Sequence, residues 1–260
     1  MPSTPLQHLE LTVDDYVATL TLSRPPVNAL NRVIRQELLA TFDALHDRDD
    51  VRAVVLTGGG KVFCAGADLK ERATLTGAPG ESRELNRLVH ATFHSIIHCS
   101  KPVIAAVNGA ALGAGFALTL CCDIIYAADD AVFAMPEVDV GMAGGVKFLQ
   151  RFFTPSQARM LLLTGRKIGA PELHRMSVLQ GCVPAAELMR EAGSLAREIA
   201  LKSPPAVRML KQSFNAVEEL SLGDGYRIEQ DMTIELNKTE DAREAKQAFF
   251  EKRKPVFKGR

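Results

Sequence analysis

Two loops of small residues, and a glutamate downstream of both, are the parts of this chain whose types and spacing could do chemistry. The first loop reads Phe63-Cys64-Ala65-Gly66-Ala67-Asp68-Leu69-Lys70 and follows the glycine turn Gly58-Gly59-Gly60. The second reads Asn108-Gly109-Ala110-Ala111-Leu112-Gly113-Ala114-Gly115 and opens an apolar run of small residues. Small side chains let a ligand approach the backbone, and a helix start leaves N–H groups unpaired. Taken singly, either loop is accounted for by close helix–strand packing. Two of them, each after a strand, allow two N–H donors to converge on one carbonyl oxygen, as stabilising a thioester enolate requires. Glu137, in Phe133-Ala134-Met135-Pro136-Glu137-Val138, could move a proton; by itself it is as well explained as a solvated loop residue after Pro136.

Other candidates carry less. The G-x-G-x-x-G pattern fails after Gly115, and Val62 follows Lys61 where a phosphate-binding loop needs Ser or Thr. His90, His94 and His98 lie at helical spacing, but the outer pair is about 12 Å apart along the axis, too far for one metal ion. They fall off the apolar stripe and read as a solvated face. Asp139 could be a second acid or a surface carboxylate pairing with Lys147 or Arg151; the structural role is favoured, because alternation in an extended loop points it away from Glu137.

Positioning these groups falls to elements that alternate along the chain. Tyr16 to Leu22, Val51 to Leu56, Val103 to Val107 and Asp123 to Ala127 read as strands. Between them lie a helix capped by Asn31, with apolar positions Val33, Ile34, Leu38, Phe42 and Leu45, and a second helix through Leu85, Leu88, Val89, Phe93, Ile96 and Ile97. Gly113 to Cys122 reads as a buried helix of small residues. This alternation predicts an α/β fold. After Gly145 the strand signals fade, and helices are expected over Pro155–Leu163, Glu187–Leu201, Pro205–Leu220, Tyr226–Leu236 and Asp241–Lys252. Ser203-Pro204-Pro205 divides a core of residues 1–202 from a helical region of residues 203–260.

The chain has 260 residues, 47% of them hydrophobic, enough for a sizeable core. Thirty-one basic and 31 acidic residues leave a net charge of zero, which gives no field for nucleic acid or an anionic membrane. Five cysteines, Cys64, Cys99, Cys121, Cys122 and Cys182, show no C-x-x-C spacing and read as reduced thiols in a cytoplasmic protein. Met1 to Asp15 lacks the basic and apolar regions of a signal peptide, and glycines break every apolar run short of a membrane span.

The stretch Lys101 to Asp123 (KPVIAAVNGAALGAGFALTLCCD), the loop before it, Pro136-Glu137 after it and the C-terminal Ala248 to Phe257 together resemble the enoyl-CoA hydratase/isomerase (crotonase) family over nearly the whole chain. The resemblance implies a spiral of ββα units with a helical C-terminal region that forms homotrimers, often paired into hexamers. It implies an acyl-CoA thioester substrate and no metal or redox cofactor. It makes the backbone N–H groups of Ala67 and Ala114 the oxyanion donors. It places coenzyme A contacts on Val27, Ala29, Ala65, Ala67, Asp68, Leu69 and Gly113, with Lys252 reaching the coenzyme of a neighbouring subunit. Glu137 maps onto the family's acid/base. Walls of Phe133, Met135 and Val138 would disfavour its charged form and raise its pKa.

Two departures narrow the reaction. Most hydratases of the family carry a second Glu where this chain has Ala117. The loop Glu137 to Gly145 looks like that of dienoyl-CoA isomerases, which place an Asp where Gly145 stands. A single carboxylate is the pattern of enoyl-CoA isomerases, so isomerisation is expected over hydration. The alternatives are hydration with water held by another residue, acyl-CoA hydrolysis or decarboxylation, and an acyl-CoA-binding paralogue without turnover.

Overall fold

A computed structural model describes residues 5–260, and its backbone winds as a spiral in which each turn contributes a long strand, a short strand and then a helix. The segment Met1 to Asp15, in which no signal peptide is expected, lies partly outside the described residues. The chain enters through a hairpin, β1 (Leu9–Asp14) and β2 (Val17–Leu22), closed by Asp15 and Tyr16 at positive φ as a two-residue turn needs. Next comes α1 (Arg32–Asp47), whose cap Asn31 accepts from the Ile34 N–H. Three turns follow. The first is β3 (Ala53–Gly58), β4 (Val62–Cys64), the short α2 (Leu69–Arg72) and α3 (Glu81–Ile97). The second is β5 (Val103–Val107), β6 (Ala110–Leu112) and α4 (Ala114–Leu120). The third is β7 (Ile124–Ala128), β8 (Val132–Ala134), a 3₁₀ turn over Pro136–Val140, and α5 (Val146–Phe152). The remainder holds α6 (Pro155–Thr164), β9 (Ile168–Gly169), α7 (Ala170–Arg175), β10 (Gly181–Val183), α8 (Leu188–Ala200), α9 (Pro204–Val217), α10 (Leu222–Leu236) and α11 (Glu240–Glu251).

The long strands build one sheet in the order β1-β2-β3-β5-β7-β10, parallel after the opening hairpin; the short strands build a second, β4-β6-β8-β9. β3 and β5 are buried along their whole length, which is why they are dominated by apolar residues, at positions 53–56 and 103–107, instead of alternating. One helix, α8, lies against this sheet through Leu188, Ala192, Ala196 and Ala200, a stripe at helical spacing whose small residues permit close approach. Phe116 and Phe133 pack at 5.1 Å between centroids beneath the second and third turns. Truncating either to Ala is expected to cost about 3–5 kcal/mol.

The C-terminal helices join the core through a half-buried ion pair. Lys211 on α9 has a side chain only 5% exposed. Its Nζ donates to Asp123 Oδ2 at 2.7 Å, to the Lys101 carbonyl at 3.0 Å and to the Ile96 carbonyl at 3.4 Å. Asp123 in turn accepts from the Val103 N–H at 2.7 Å, so one carboxylate ties α9 to the edge of β5.

Several expectations shift. The strand read at Val51–Leu56 runs two residues later, and the last five predicted helices start or stop within about four residues of their expected ends. β1, the four short strands and β10 escaped the sequence reading. Strand pairing does not end at Gly145, because Gly181–Val183 extends the large sheet beside β7. All five cysteines are free thiols, four buried and Cys182 partly exposed. Among the described residues no helix is long and apolar enough to cross a membrane.

Candidate active site

The second sheet acts as a ladder for the candidate groups. Cys64 pairs with Ala111, and Ala111 with Phe133, across adjacent parallel strands about 4.8 Å apart. Ala67 and Ala114 each lie three residues beyond these paired positions, and Glu137 lies four beyond Phe133. Residues separated by 47 and 23 positions in the chain therefore occupy neighbouring rungs at one end of the ladder.

The loops touch. Gly66 has φ +94°, and a Cβ there would stand 2.6 Å from the Leu112 carbonyl oxygen and 3.4 Å from the Ala114 nitrogen. Only glycine satisfies both the left-handed conformation and the contact. Ala67 is bridged to Leu30 in parallel fashion: Leu30 N–H donates to the Gly66 carbonyl at 2.7 Å, and Asp68 N–H to the Leu30 carbonyl at 3.1 Å. That pattern leaves the N–H of Ala67 itself unused by the bridge. Ala114 is the first residue of α4, whose cap Gly113 offers no side-chain acceptor, so its N–H has no intrahelical partner either.

Gly113 holds φ +52° and donates its N–H to the Ala134 carbonyl at 2.8 Å. That bond sets the position of Pro136, which opens the 3₁₀ turn carrying Glu137. The turn is closed by Gly141 in the left-handed region and by the Met142 N–H donating to the Glu137 carbonyl at 2.8 Å. Oε2 of Glu137 is buried and has no hydrogen-bond partner among the described residues. Burial pushes this carboxyl above the ordinary carboxylate range, with the charge of Arg72 partly opposing the shift.

A cavity of about 460 Å³ opens in front of these groups, and its walls include Ala67, Ala114, Glu137, Arg35, Arg72 and Phe148. Ala117 and Gly145, the two positions without the expected second acid, line the same cavity. Arg35 and Arg72 were not anticipated. The signal for Arg35 was its place three residues before Leu38 and seven before Phe42, on the buried stripe of α1, where it is 2% exposed.

The predicted coenzyme contacts form one edge beside Ala67. Ala65 N–H donates to the Val27 carbonyl at 3.0 Å, and Arg24 Nη1 donates to the Ala29 carbonyl at 2.8 Å. Val27 and Leu69 are exposed apolar side chains on this edge. The Asp68 side chain is already engaged: it caps α2 by accepting from the Lys70 and Glu71 N–H groups, and it pairs with Arg24 at 2.6 Å. Burial alone would raise its carboxyl, but these donors and the guanidinium outweigh it and hold the group low. Lys252 ends α11 in the left-handed conformation, exposed, and is not part of the cavity wall.

Two sequence expectations need correction. Asp139 sits in the 3₁₀ turn, not an extended loop, and pairs with neither expected cation: Lys147 pairs with Glu219, and Arg151 with Glu218. Its carboxylate packs beside Gly165, where a Cβ would stand 2.9 Å from Oδ2. The three histidines are exposed as expected and stack at 5.2 and 3.9 Å between centroids, yet His90 and His94 also border the cavity. Among the described residues no cluster of three or more His, Cys, Asp or Glu could hold a metal ion.

Comparison with known proteins follows the same lines. A family model described as enoyl-CoA hydratase/isomerase matches residues 12–260. A probable enoyl-CoA hydratase of Mycobacterium bovis is 38% identical over 248 residues, covering 94% of this chain and 95% of that protein. A carnitinyl-CoA dehydratase of Proteus mirabilis is 37% identical over 264 residues, covering 98% and 99%. The crystal structure of an enoyl-CoA hydratase from Bacillus anthracis superposes with a TM-score of 0.93 at 33% identity, covering 98% of this chain and 100% of that one.

Proposed function

The chain belongs to the enoyl-CoA hydratase/isomerase family of enzymes acting on acyl-CoA thioesters, and from that premise we propose that it isomerises an enoyl-CoA, with Glu137 as its single acid/base. The observation that carries this reading is that Glu137 is the one carboxylate among the described residues lining the cavity. The thioester oxygen would accept from the N–H groups of Ala67 and Ala114, donors fixed before the substrate arrives. Glu137 would remove a proton from the α-carbon of a 3-enoyl thioester and return it at the γ-carbon through the dienolate. Its raised pKa lowers the cost of holding that proton between the two steps. Hydration needs a second group to activate water at the β-carbon, and Ala117 and Gly145 offer none. The chemistry calls for no metal or redox cofactor, since one carboxylate and two N–H donors complete the proton transfer.

The activities for which the relatives are named favour a second reading, hydration, in which water would be held by another cavity residue such as Asn86 or His94. Ultraviolet absorbance of the conjugated enoyl thioester separates the two. Absorbance that rises with a 3-enoyl-CoA and is lost in Glu137→Gln supports isomerisation. Absorbance that falls with a trans-2-enoyl-CoA supports hydration.

The working form would be a homotrimer or a pair of trimers. The helical C-terminal region leaves Phe249 and Phe250 79% and 81% exposed and Leu222 89% exposed, an apolar surface that association would cover. In such an assembly Lys252 would face a neighbour's coenzyme.

A further inference from the structure

Arg35 is a buried guanidinium with one nitrogen left unpaired among the described residues. Its residue is 2% exposed, and Nη1 meets no acceptor among the described residues. Burying a guanidinium unpaired is costly, so such groups are normally matched by an anion. The nearest candidates do not serve. Cys64 stays a neutral thiol, its pKa pushed up to about 12 by burial. The Glu71 carboxylate is occupied by the Arg32 N–H through both oxygens, at 2.9 and 3.0 Å. Arg72, which lines the same cavity, adds a second positive charge, and its Nη1 contacts only the Met142 sulfur at 3.4 Å. Glu137 is the cavity's single acid, and it is committed to proton transfer.

We propose that this cavity holds an anion subsite, and that the acyl group of the substrate carries a second carboxylate, which Arg35 and Arg72 bind. The proposal rests on the acyl-CoA reading above and specifies its substrate class. Two guanidinium groups in a half-enclosed cavity fit a planar carboxylate through paired N–H donors. A plain alkyl chain would leave Arg35 unmatched. A chain ending in a quaternary ammonium would be repelled by both.

The test compares two saturated thioesters of equal length, glutaryl-CoA and pentanoyl-CoA, which differ only in a terminal carboxylate. Calorimetric titration of the full chain is expected to give glutaryl-CoA at least about tenfold tighter binding, the least that charge-assisted hydrogen bonds of this kind supply. In Arg35→Gln, and independently in Arg72→Gln, the ratio of the two affinities should fall towards one. The Arg72 variant, on the exposed side of the cavity, covers the case in which Arg35→Gln does not fold. Equal affinities in the wild type would overturn the subsite while leaving the acyl-CoA reading intact. A ratio that survives both substitutions would also overturn it. If neither thioester binds, the acyl-CoA reading falls and the subsite with it.

Discussion

The α-carbon of Gly113 faces the carboxylate of Glu137 so closely that a methyl group added there would meet Oε1 at 2.7 Å. The residue that opens α4 thus also sets where the acid stands. Gly113→Ala should displace the carboxylate and strain a backbone held at φ +52°. The expected result is a fall in kcat of about a hundredfold, the usual consequence of moving a catalytic group by about 1 Å. Thioester affinity, measured by titration, should change far less.

Glu137→Gln should lower turnover by a factor of about 10²–10⁴, the span of general acid–base catalysis. It should also stabilise the fold at high pH. A carboxyl with a raised pKa keeps its proton in the folded chain at pH values where the unfolded chain has released it. Stability therefore falls as pH rises through the window between the ordinary value of 4.5 and the raised one. The variant lacks this titration. Its Tm should exceed that of the wild type at pH 8, and the two should converge below about pH 4.5.

Ala117→Glu would place a second carboxylate on the wall of the same cavity. The ratio of hydration to isomerisation, followed by absorbance on the paired substrates, is expected to rise. Like charges disfavour joint ionisation, so the acid limb of the pH–rate profile should move to higher pH. An unchanged ratio would mean that this wall does not decide between the reactions.

Lys211→Met removes the cation from a pair in which Asp123 remains partly buried and keeps the Val103 donor. A loss of about 2 kcal/mol is expected, below the full cost of orphaning a deeply buried charge. Urea denaturation measures it. Asp123→Asn should cost more, because it leaves the Lys211 ammonium, the more deeply buried member of the pair, without a counter-charge.

The central strands of the large sheet were legible in the sequence because β3 and β5 are buried along their length and are dominated by apolar residues; its outer strands β1 and β10 were not. The second sheet was not. Strands of two or three residues such as Val62–Cys64 and Val132–Ala134 hold too few positions to show a period, and their existence depends on neighbours brought together by the spiral. The loops that carry Ala67, Ala114 and Glu137 were readable, because small residues and a proline mark the turns; the roles of those residues come from the family resemblance and stand as proposals. Asp139 was misjudged because alternation was assumed where Pro136 begins a 3₁₀ turn. Arg35 escaped because a guanidinium on a helix is ordinarily solvated, and only the tertiary contact between α1 and α3 encloses it.

The ladder β4-β6-β8 sets the spacing of Ala67, Ala114 and Glu137 by hydrogen bonds between turns, so the contour length of chain joining them is free to change. The mostly exposed stretch from Ala73 to Gly80 lies outside the ladder, between Arg72 and Asn86, which line the cavity. Insertions there would be tolerated at small entropic cost and would reshape the wall that selects the acyl group. On the proposed assignment, reactivity and substrate choice sit on separate pieces of chain, and a descendant of this protein could exchange the second while inheriting the first.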